Sequence, residues 1–350
     1  MAGLIKVLVV DDSAFVRKVV TQMLSRSPFI DVVGAARDGQ EALEMVEQLR
    51  PDVVTLDLVM PVMDGLEFLR RQFAVRPIPV VVCSISHESG AAALEAFELG
   101  AVEFVQKPTA LATDRVFEIA DELVAKVKAA AAVQLGSRRP SEAIALPEPS
   151  APPASRGEGP DVDIVVIGIS TGGPQALRQV IPRFPATFRV PIAVVLHMPV
   201  GYTEMYAQRL NEISPLDVVE AKDGEEIRSG AMFLAPAGRH LTFRRSEKGG
   251  PVRAHLDLRP SDTPHRPAVD VLFQSAADVY GSRVLGVVMT GMGNDGVVGA
   301  AHVKAKGGHI VTEAESSCIV YGMPRAVVEA CASDRVVTLN DMARTIMEMV

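Results

Sequence analysis

A serine at position 170 lies in a glycine-rich turn that suits nucleophilic catalysis. The segment GISTG at 168–172 matches G-x-S-x-G, a pattern that in some hydrolases places a serine on a tight strand-to-helix turn. Its glycines permit unusual backbone angles, and the N-terminus of the next helix offers N–H groups to a developing negative charge. The same N–H groups could hold a phosphate, so nucleotide binding is the competing hypothesis. Because the turn lacks the P-loop lysine and the full G-x-G-x-x-G spacing, we favour a nucleophile.

A nucleophilic serine needs a base, and the base needs an acid that orients it. Of the seven histidines, His197 directly follows an apolar strand and precedes Met-Pro, at the sheet edge where Ser170 is expected. Asp295, which follows another apolar strand in VVMTGMGNDGVVG, is the first candidate for the acid, although helix capping would explain it equally well. The weaker candidates are Asp270, which falls within a predicted helix, and His240, His255 and His265 in or near the less regular middle of this half.

An acidic cluster is predicted in the first third of the chain. Asp11 and Asp12 follow its first predicted strand, Asp57 follows the third, and Lys107 follows the fifth. Carboxylates at adjacent strand ends repel one another unless a cation joins them, and Mg²⁺ prefers such oxygen ligands. A carboxylate can also attack phosphorus, while a metal ion and a lysine neutralise the developing charge. A single aspartate here is more often a helix N-cap, a role open to Asp12 or Ser13, but the whole set favours a phosphoacceptor.

The pattern of apolar segments predicts how the first domain, residues 1–128, positions this cluster. Amphipathic stretches at helical spacing alternate with short Val- and Ile-rich segments, which we interpret as strands at 5–10, 32–35, 53–56, 80–83 and 102–105. This alternation predicts a doubly wound α/β domain with a five-stranded parallel sheet. Ligands of such sheets bind at the carboxyl ends of the strands, where the acidic cluster lies.

The rest of the chain divides into a linker and a second domain. Residues 129–160 are rich in Ala, Pro, Ser and Gly without an apolar period, which predicts a flexible linker. In residues 161–350, short apolar segments typical of strands again alternate with helical patterns, which predicts an α/β domain with a mainly parallel sheet. Between about 216 and 260, short predicted strands at 216–220, 231–235, 241–244 and 254–258 are separated by Gly, Pro and Asp, and we interpret this part as an antiparallel excursion.

Composition and charge exclude several function classes. The formal net charge of −8 distributes as −6 over residues 1–128, 0 over 129–160 and −2 over 161–350, so no segment has the basic character that nucleic-acid binding requires. No apolar run reaches 18 residues, and no signal-peptide cleavage site follows the apolar start, so we expect a cytoplasmic protein. The three cysteines show no CxxC spacing and are expected to be buried, reduced residues.

Four features of residues 4–125 resemble the signature set of response-regulator receiver domains. These are VLVVDDS, TLDLVMPVMDG, the serine at position 84 and FVQKP. The resemblance implies phosphorylation of Asp57 by a partner histidine kinase, with Mg²⁺ held by Asp11, Asp12 and Asp57. It further implies that Lys107 contacts the phosphoryl group and that Ser84 and Phe104 form the switch pair. From the residue pattern alone, Phe104 would be only a core aromatic.

Five motifs of residues 162–347 resemble, in the same order, the catalytic domain of the chemotaxis protein-glutamate methylesterases, the CheB family. The motifs are GISTGGPQAL, LHMP, HRPAVDVLF, TGMGNDG and YGMP. The resemblance implies that Ser170 is the nucleophile, His197 the general base and acid, and Asp295 the orienting carboxylate. It also implies an oxyanion hole that includes the backbone N–H of Met292, with Thr171 beside the nucleophile. One departure is isoleucine at position 169, where the family pattern leads us to expect alanine.

Together the two resemblances imply a phosphorylation-activated hydrolase for sensory adaptation. It would release methanol from glutamate methyl esters of methyl-accepting chemoreceptors and deamidate their glutamines, without a cofactor for the esterase step. The partners would be a histidine kinase and the chemoreceptors, with no nucleic acid and only an indirect link to the membrane. We also expect the unphosphorylated receiver to cover the catalytic cleft. The alternatives are a DNA-binding regulator, a nucleotide-binding effector domain and a catalytically inert interaction module.

Overall fold

The computed structural model describes residues 3–84, 90–107, 115–133, 161–245 and 250–350, with the backbone alone at 115–118. The chain divides into two compact units, residues 1–143 and 144–350. Of the predicted linker, residues 134–160 lie outside the described part, whereas 129–131 complete the last helix of the first unit. Among the described helices, none has both the length and the apolar character needed to cross a bilayer.

The first unit is the predicted doubly wound domain. Its five strands form one parallel sheet in the order β2-β1-β3-β4-β5. The strands are β1 Ile5–Val10, β2 Ile30–Ala36, β3 Val53–Leu56, β4 Val80–Ser84 and β5 Glu103–Gln106. The helices are α1 Ala14–Leu24, α2 Gly39–Leu49, α3 Gly65–Val75, α4 Gly90–Leu99 and α5 Arg115–Ala131. The valines of β1, β3, β4 and β5 are buried on both faces, as expected for a parallel sheet between two helical layers.

Short polar side chains begin several helices at the carboxyl edge of this sheet. Ser13 accepts a hydrogen bond from the backbone N–H of Val16 and so caps α1, which confirms one of the two capping alternatives. Asp38 caps α2 and Asp64 caps α3 in the same way. Ser13, Asp38 and Asp64 therefore accept the N–H groups at these helix N-termini. Asp11 and Asp57, which lie at the strand ends, are not needed as helix caps.

The second unit contains a seven-stranded sheet in the order β14-β13-β12-β6-β7-β9-β8, in which every pairing is parallel. Its strands are β6 Ile164–Ile169, β7 Ile192–Leu196, β8 Asp217–Glu220, β9 Ala231–Leu234, β12 Val284–Val288, β13 His309–Glu313 and β14 Arg335–Val337. The helices are α6 Gly173–Val180, α7 Thr203–Glu212, α8 Val269–Tyr280, α9 Val297–Ala305, α10 Met323–Glu329 and α11 Leu339–Met349, with a short 3₁₀ turn at Ile181–Arg183.

The antiparallel excursion is smaller than the sequence suggested. Among the strands that the structure describes, only β10 His240–Arg245 and β11 Val252–Asp257 pair antiparallel, and they form a separate two-stranded sheet. The predicted strands at 216–220 and 231–235 belong instead to the main sheet, as its parallel strands β8 and β9. The physical reason is burial: β9 is buried throughout between β7 and β8, which is the environment of a parallel-sheet interior rather than of a hairpin.

Candidate functional site

Ser170 and His197 follow two neighbouring strands of the second unit. Ile169, at the end of β6, pairs in register with Leu196, at the end of β7, so the next residue of each strand leaves the sheet at the same edge. The backbone N–H of His197 donates to the carbonyl of Ile169 at 3.2 Å and fixes this relative height. The isoleucine at position 169 is fully buried, and it departs from the expected alanine without carrying a polar group into the site.

The glycines around Ser170 are required by close packing. A Cβ at Gly168 would lie 2.2 Å from a methyl carbon of Val269 in the first turn of α8, so only glycine lets that helix reach β6. Gly172 begins α6 with a positive φ of 75°, and a Cβ there would lie 2.5 Å from Ile319. The G-x-S-x-G pattern therefore makes a turn into α6 that packs against α8 at Gly168 and against the 314–322 segment at Gly172.

His197 and Asp295 form a hydrogen-bonded pair beside Ser170. Nε2 of His197 lies 2.9 Å from Oδ2 of Asp295, and both side chains are about nine-tenths buried. The other ring nitrogen, Nδ1, is buried without a hydrogen-bond partner among the described residues. With Nε2–H donating to the carboxylate, Nδ1 carries the free lone pair of the neutral ring. The nitrogens thus have the reverse assignment to the familiar Ser-His-Asp arrangement, in which Nδ1–H faces the carboxylate.

Helix α8 holds Asp295 in place. Its carboxylate accepts the backbone N–H groups of Val269 at 2.8 Å and of Asp270 at 2.9 Å, which are the first two residues of that helix. Burial alone would raise the pKa of Asp295, but the His197 ring and the two helix N–H groups lower it below the usual value. The carboxylate is therefore ionised at neutral pH and stabilises a positive charge on His197.

Asp270, the alternative acid, has a different position. One of its oxygens accepts the backbone N–H groups of Gly296 at 2.9 Å and Gly299 at 2.7 Å, so it caps α9 rather than contacting a histidine. Burial raises the pKa of Asp270, and the nearby charge of Asp295 adds to this effect. Asp270 therefore does not contact His197. It binds the backbone just after Asp295 and so orders the loop that carries Asp295.

Of the other candidate histidines, His240 and His255 have partners outside the site, and His265 lies beside His197. His240 is fully buried and structural: Nδ1 accepts the N–H of Ala268 at 3.2 Å, Nε2 faces the carbonyl of Pro260 at 3.1 Å, and burial lowers its pKa. His255 pairs with Asp223 at 3.0 Å in the two-stranded sheet. His265 stacks on His197, with ring centroids 4.1 Å apart and planes inclined by 27°. Sequence reasoning ranked His265 low, and it gave no sign of this stacking.

The loop after β12 lies directly against Ser170. A Cβ on Gly291 would lie 2.9 Å from Cβ of Ser170, so the loop can pass Ser170 only because residue 291 is glycine. The N–H of Ser170 donates to the carbonyl of Thr290 at 3.0 Å, and the hydroxyl of Thr290 donates to the carbonyl of Thr171 at 3.0 Å. Met292 follows in the same loop. This arrangement puts Met292, the predicted oxyanion residue, in the loop that packs against Ser170, and both roles stay predictions.

A second cluster lies in the first unit, at the carboxyl edge of its sheet. Nζ of Lys107 lies 2.7 Å from Asp11 and 2.6 Å from Asp57, and all three side chains are over nine-tenths buried. Burial alone would lower the pKa of Lys107, but its hydrogen bonds to the two carboxylates raise it above the usual value. Lys107 therefore stays protonated and holds the two acids together.

The same edge has the donor set of a small hard cation. Carboxylate oxygens of Asp11, Asp12 and Asp57 lie within 4.8 Å of one another, and Asp12 is exposed. Three carboxylates with one side open to water match the preference of Mg²⁺ for oxygen ligands and retained waters. The predicted metal residues are therefore together and fit the ion.

The predicted switch residues are both buried. Ser84 ends β4, and its carbonyl accepts the N–H of Lys107 at 2.9 Å. The carbonyl of Phe104 accepts a hydrogen bond from Nζ of Lys126 at 2.7 Å, and Lys126 also pairs with Glu103 at 3.3 Å. Sequence reasoning missed this anchor of α5 on β5, because a lysine among helical alanines gives no sign of a buried partner.

Comparison with family models assigns both units. Residues 165–346 match the model of the CheB methylesterase family, and residues 7–116 match that of the response regulator receiver domain. The first of these matches covers just over half of the 350 residues. The first range contains Ser170, His197 and Asp295, and the second contains Asp11, Asp57 and Lys107.

Relatives of known name share most of the chain. A protein of Myxococcus xanthus named protein-glutamate methylesterase/protein-glutamine glutaminase 5 is 52% identical over 328 residues, which are 93% of this chain and 92% of that protein. A Symbiobacterium thermophilum protein with the same name, without the number, is 46% identical over 99% of this chain and 97% of its own length. The crystal structure of the Thermotoga maritima CheB methylesterase catalytic domain matches with a TM-score of 0.52 and 42% identity, over 54% of this chain and 99% of that domain.

Proposed function

The chain belongs to the CheB methylesterase family and carries a response regulator receiver domain, and on this premise we propose that Ser170, His197 and Asp295 hydrolyse glutamate methyl esters of chemoreceptors. One observation carries the proposal. The hydrogen bond of His197 to Asp295 leaves Nδ1 buried with a free lone pair at the strand end next to Ser170. A neutral histidine fixed in this way is suited to take the proton of a serine hydroxyl.

The reaction follows from these positions. Ser170 Oγ attacks the γ-carbonyl carbon of the ester while its proton moves to Nδ1 of His197, and Asp295 stabilises the imidazolium. The oxyanion accepts hydrogen bonds from backbone N–H groups that include that of Met292, with Thr171 supporting the turn. As the tetrahedral intermediate collapses, His197 returns the proton to the leaving oxygen and methanol departs. Water then attacks the acyl-enzyme, again through His197, and releases glutamate and free Ser170.

The same groups serve a second leaving group. With a receptor glutamine as substrate, the His197 proton goes to the amide nitrogen of the corresponding tetrahedral intermediate, and loss of ammonia gives the same acyl-enzyme. The relatives in Myxococcus xanthus and Symbiobacterium thermophilum carry both activities in their names. We expect both activities here, and no cofactor for either.

The receiver supplies control. Asp57 accepts a phosphoryl group from a histidine kinase, Lys107 contacts that group, and Ser84 with Phe104 transmits the change. Asp11, Asp12 and Asp57 would hold Mg²⁺, which neutralises the charge of the transferring phosphoryl group when bound. We assign the receiver to residues 1–128, the linker to 129–160 and the catalytic domain to 161–350, with α5 of the receiver extending through the first three residues of the linker range. That the unphosphorylated receiver covers the cleft stays a prediction.

We place this reaction in the cytoplasm, where kinases and the methylated helices of receptors are accessible, so that the membrane is reached only through the receptors. The test uses receptor membranes that carry radiolabelled methyl esters together with unmodified glutamines. We expect the full chain to release both methanol and ammonia, with receptor glutamate as the product of each. Release of neither product by the phosphorylated chain would overturn the proposal.

A further inference from the structure

Glu313 is a fully buried carboxylate that the proposed reaction does not use. It ends β13, the strand beside β12, and lies on the side of the sheet edge where the Ser170 turn and the Met292 loop meet. A buried carboxylate is costly unless donors satisfy its oxygens, so its partners reveal what it holds. We propose that Glu313 is a positioning residue that fixes the nucleophile turn and the oxyanion loop together through Thr290. The inference rests on the proposed roles of Ser170 and Met292.

Each oxygen of Glu313 has a partner from a different segment. Oε2 accepts the backbone N–H of Thr290 at 2.9 Å, and Oε1 accepts the hydroxyl of Ser317 at 2.9 Å. Ser317 in turn accepts the N–H of Leu339, the first residue of α11. Glu313 therefore joins the loop after β12 to the 314–322 segment and, through Ser317, to the C-terminal helix.

Thr290 transmits this constraint to the site. Its N–H bonds to Glu313, and its carbonyl and hydroxyl bond to the backbone of the Ser170 turn. Its carbonyl accepts the N–H of Ser170 at 3.0 Å, and its hydroxyl donates to the carbonyl of Thr171 at 3.0 Å. The same hydroxyl oxygen accepts the N–H of Val320 at 2.9 Å. The position of Thr290 thus sets the backbone on both sides of the nucleophile, and Thr290 lies two residues before Met292.

The requirement on position 313 is for an acceptor of the right length rather than for a charge. Without an acceptor, the buried N–H of Thr290 is left unpaired, and the loop must shift to recover a hydrogen bond. Glutamine keeps this acceptor at Oε1, and its amide can donate to the hydroxyl of Ser317, whose proton can turn to the carbonyl of Ala314. Methionine has a similar size and no strong acceptor. These two substitutions therefore separate the hydrogen bond from packing.

The test compares Glu313→Met and Glu313→Gln in the full chain, with a phosphodonor and methylated receptor membranes. Because a misplacement of about 1 Å can cost about 100-fold in rate, we expect Glu313→Met to lower kcat about 10- to 100-fold with KM changed less than about 3-fold. Glu313→Gln should retain kcat within about 3-fold, since it restores the acceptor.

Thr312→Val is the matched control. Thr312 is the buried neighbour on the same strand, and its hydroxyl contacts Ser333 at 2.8 Å, outside the Thr290 network. This variant should lower the melting temperature and leave kcat unchanged. Equal losses of kcat in Glu313→Met and Thr312→Val, or in Glu313→Met and Glu313→Gln, would overturn the inference, as would an unchanged kcat in Glu313→Met.

A second pair keeps the inference falsifiable if Glu313→Met does not fold. Thr290→Val removes the hydroxyl that holds Thr171 and Val320, whereas Thr290→Ser retains it. We expect kcat to fall at least about 10-fold in the valine variant and to be largely retained in the serine variant. Normal kcat in Thr290→Val contradicts the positioning role. If the unsubstituted chain releases no methanol, the proposed function itself has failed, and this inference fails with it.

Discussion

Asp295 and Asp270 each accept the first backbone N–H groups of the helix beside the other. The carboxylate of Asp295, just before α9, binds the N–H groups of Val269 and Asp270 at the start of α8. The carboxylate of Asp270 binds those of Gly296 and Gly299 at the start of α9. This exchange fixes Asp295, the proposed orienting acid of His197, between the N-terminal ends of two helices, and helix N-termini favour negative charge. The two aspartates that compete for the acid role in the sequence therefore act as one unit.

Replacement of Asp270 tests this unit. Asp270→Ala leaves two N–H groups of α9 without their acceptor, so we expect a loss of about 1–2 kcal/mol of unfolding free energy. Since the loop with Asp295 then moves, kcat should fall about 10- to 100-fold. Asp270→Asn keeps an acceptor oxygen for these N–H groups. It removes only a negative charge that burial already disfavours, as the raised pKa of Asp270 indicates, so this variant should retain most activity. Thermal unfolding and methanol release measure both effects, and full activity of Asp270→Ala would refute the shared positioning.

Asp295→Asn is expected to be far more damaging to the reaction. An amide nitrogen facing Nε2 would force the proton of His197 onto Nδ1, which removes the base, and we expect kcat to fall about 10³- to 10⁴-fold. Asp278→Asn is the matched control, because this exposed aspartate also pairs with a histidine, His302, at 2.9 Å but lies outside the site. Comparable activity of the two variants would show that Asp295 has no catalytic function.

The lowered pKa of Asp295 predicts a pH-dependent stability. Because the folded-state pKa lies below the unfolded value of about 3.9, the carboxylate stabilises the fold above that pH. This contribution disappears as the pH falls through the folded-state pKa. The melting temperature of the unsubstituted chain should therefore exceed that of Asp295→Asn at pH 7, and the gap should narrow below about pH 4. A gap that stays constant between pH 7 and pH 3 would rule out this linkage.

Stacking by His265 should keep the His197 ring in its working orientation. An aromatic pair contributes about 0.5–1.5 kcal/mol, so His265→Ala should lower kcat about 2- to 13-fold. His265→Phe can stack in the same place and should recover most of this loss. Steady-state methanol release distinguishes the two variants. If phenylalanine is as poor as alanine, His265 acts through its ring nitrogens instead of through stacking.

Asp57 is expected to control activation without affecting the basal reaction. Asp57→Asn should abolish the response to a small-molecule phosphodonor and leave the unstimulated rate unchanged. Asp52→Asn serves as its control, because Asp52 precedes β3 and its side chain accepts the N–H of Lys6, at the opposite end of the strand from Asp57. Stimulation that persists in Asp57→Asn would exclude Asp57 as the phosphoacceptor.

Much of the fold and of both clusters was predictable because parallel strands end at one edge of their sheet. Valine-rich segments followed by Asp11, Asp57, Ser170 and His197 were sufficient to place these residues at such edges. The pairing of β8 and β9 was not predictable, because short strands between turn residues give the same pattern in a hairpin and in a sheet. The burial of β9, which decides the matter, depends on its pairing with β7, a strand well before it in the sequence.

The supporting residues escaped prediction for a different reason. Thr290, Glu313 and His265 act through contacts with residues 23 to 119 positions away in the sequence, such as that of Thr290 with Thr171. A buried glutamate at the end of a strand has the same local pattern as an exposed one. The sequence also left Asp270 and Asp295 both open as the acid, since an aspartate that caps a helix and one that orients a histidine can share a motif.

The most direct test of the account measures methanol release from methylated chemoreceptor membranes by the unsubstituted chain and by Ser170→Ala, each with and without a phosphodonor. We predict release that rises with the phosphodonor and falls at least about 10⁴-fold in Ser170→Ala, because members of a catalytic triad act as a unit. Release by Ser170→Ala at the unsubstituted rate would contradict the assignment of the nucleophile. No release by the unsubstituted chain, with or without the phosphodonor, would contradict the proposed reaction itself.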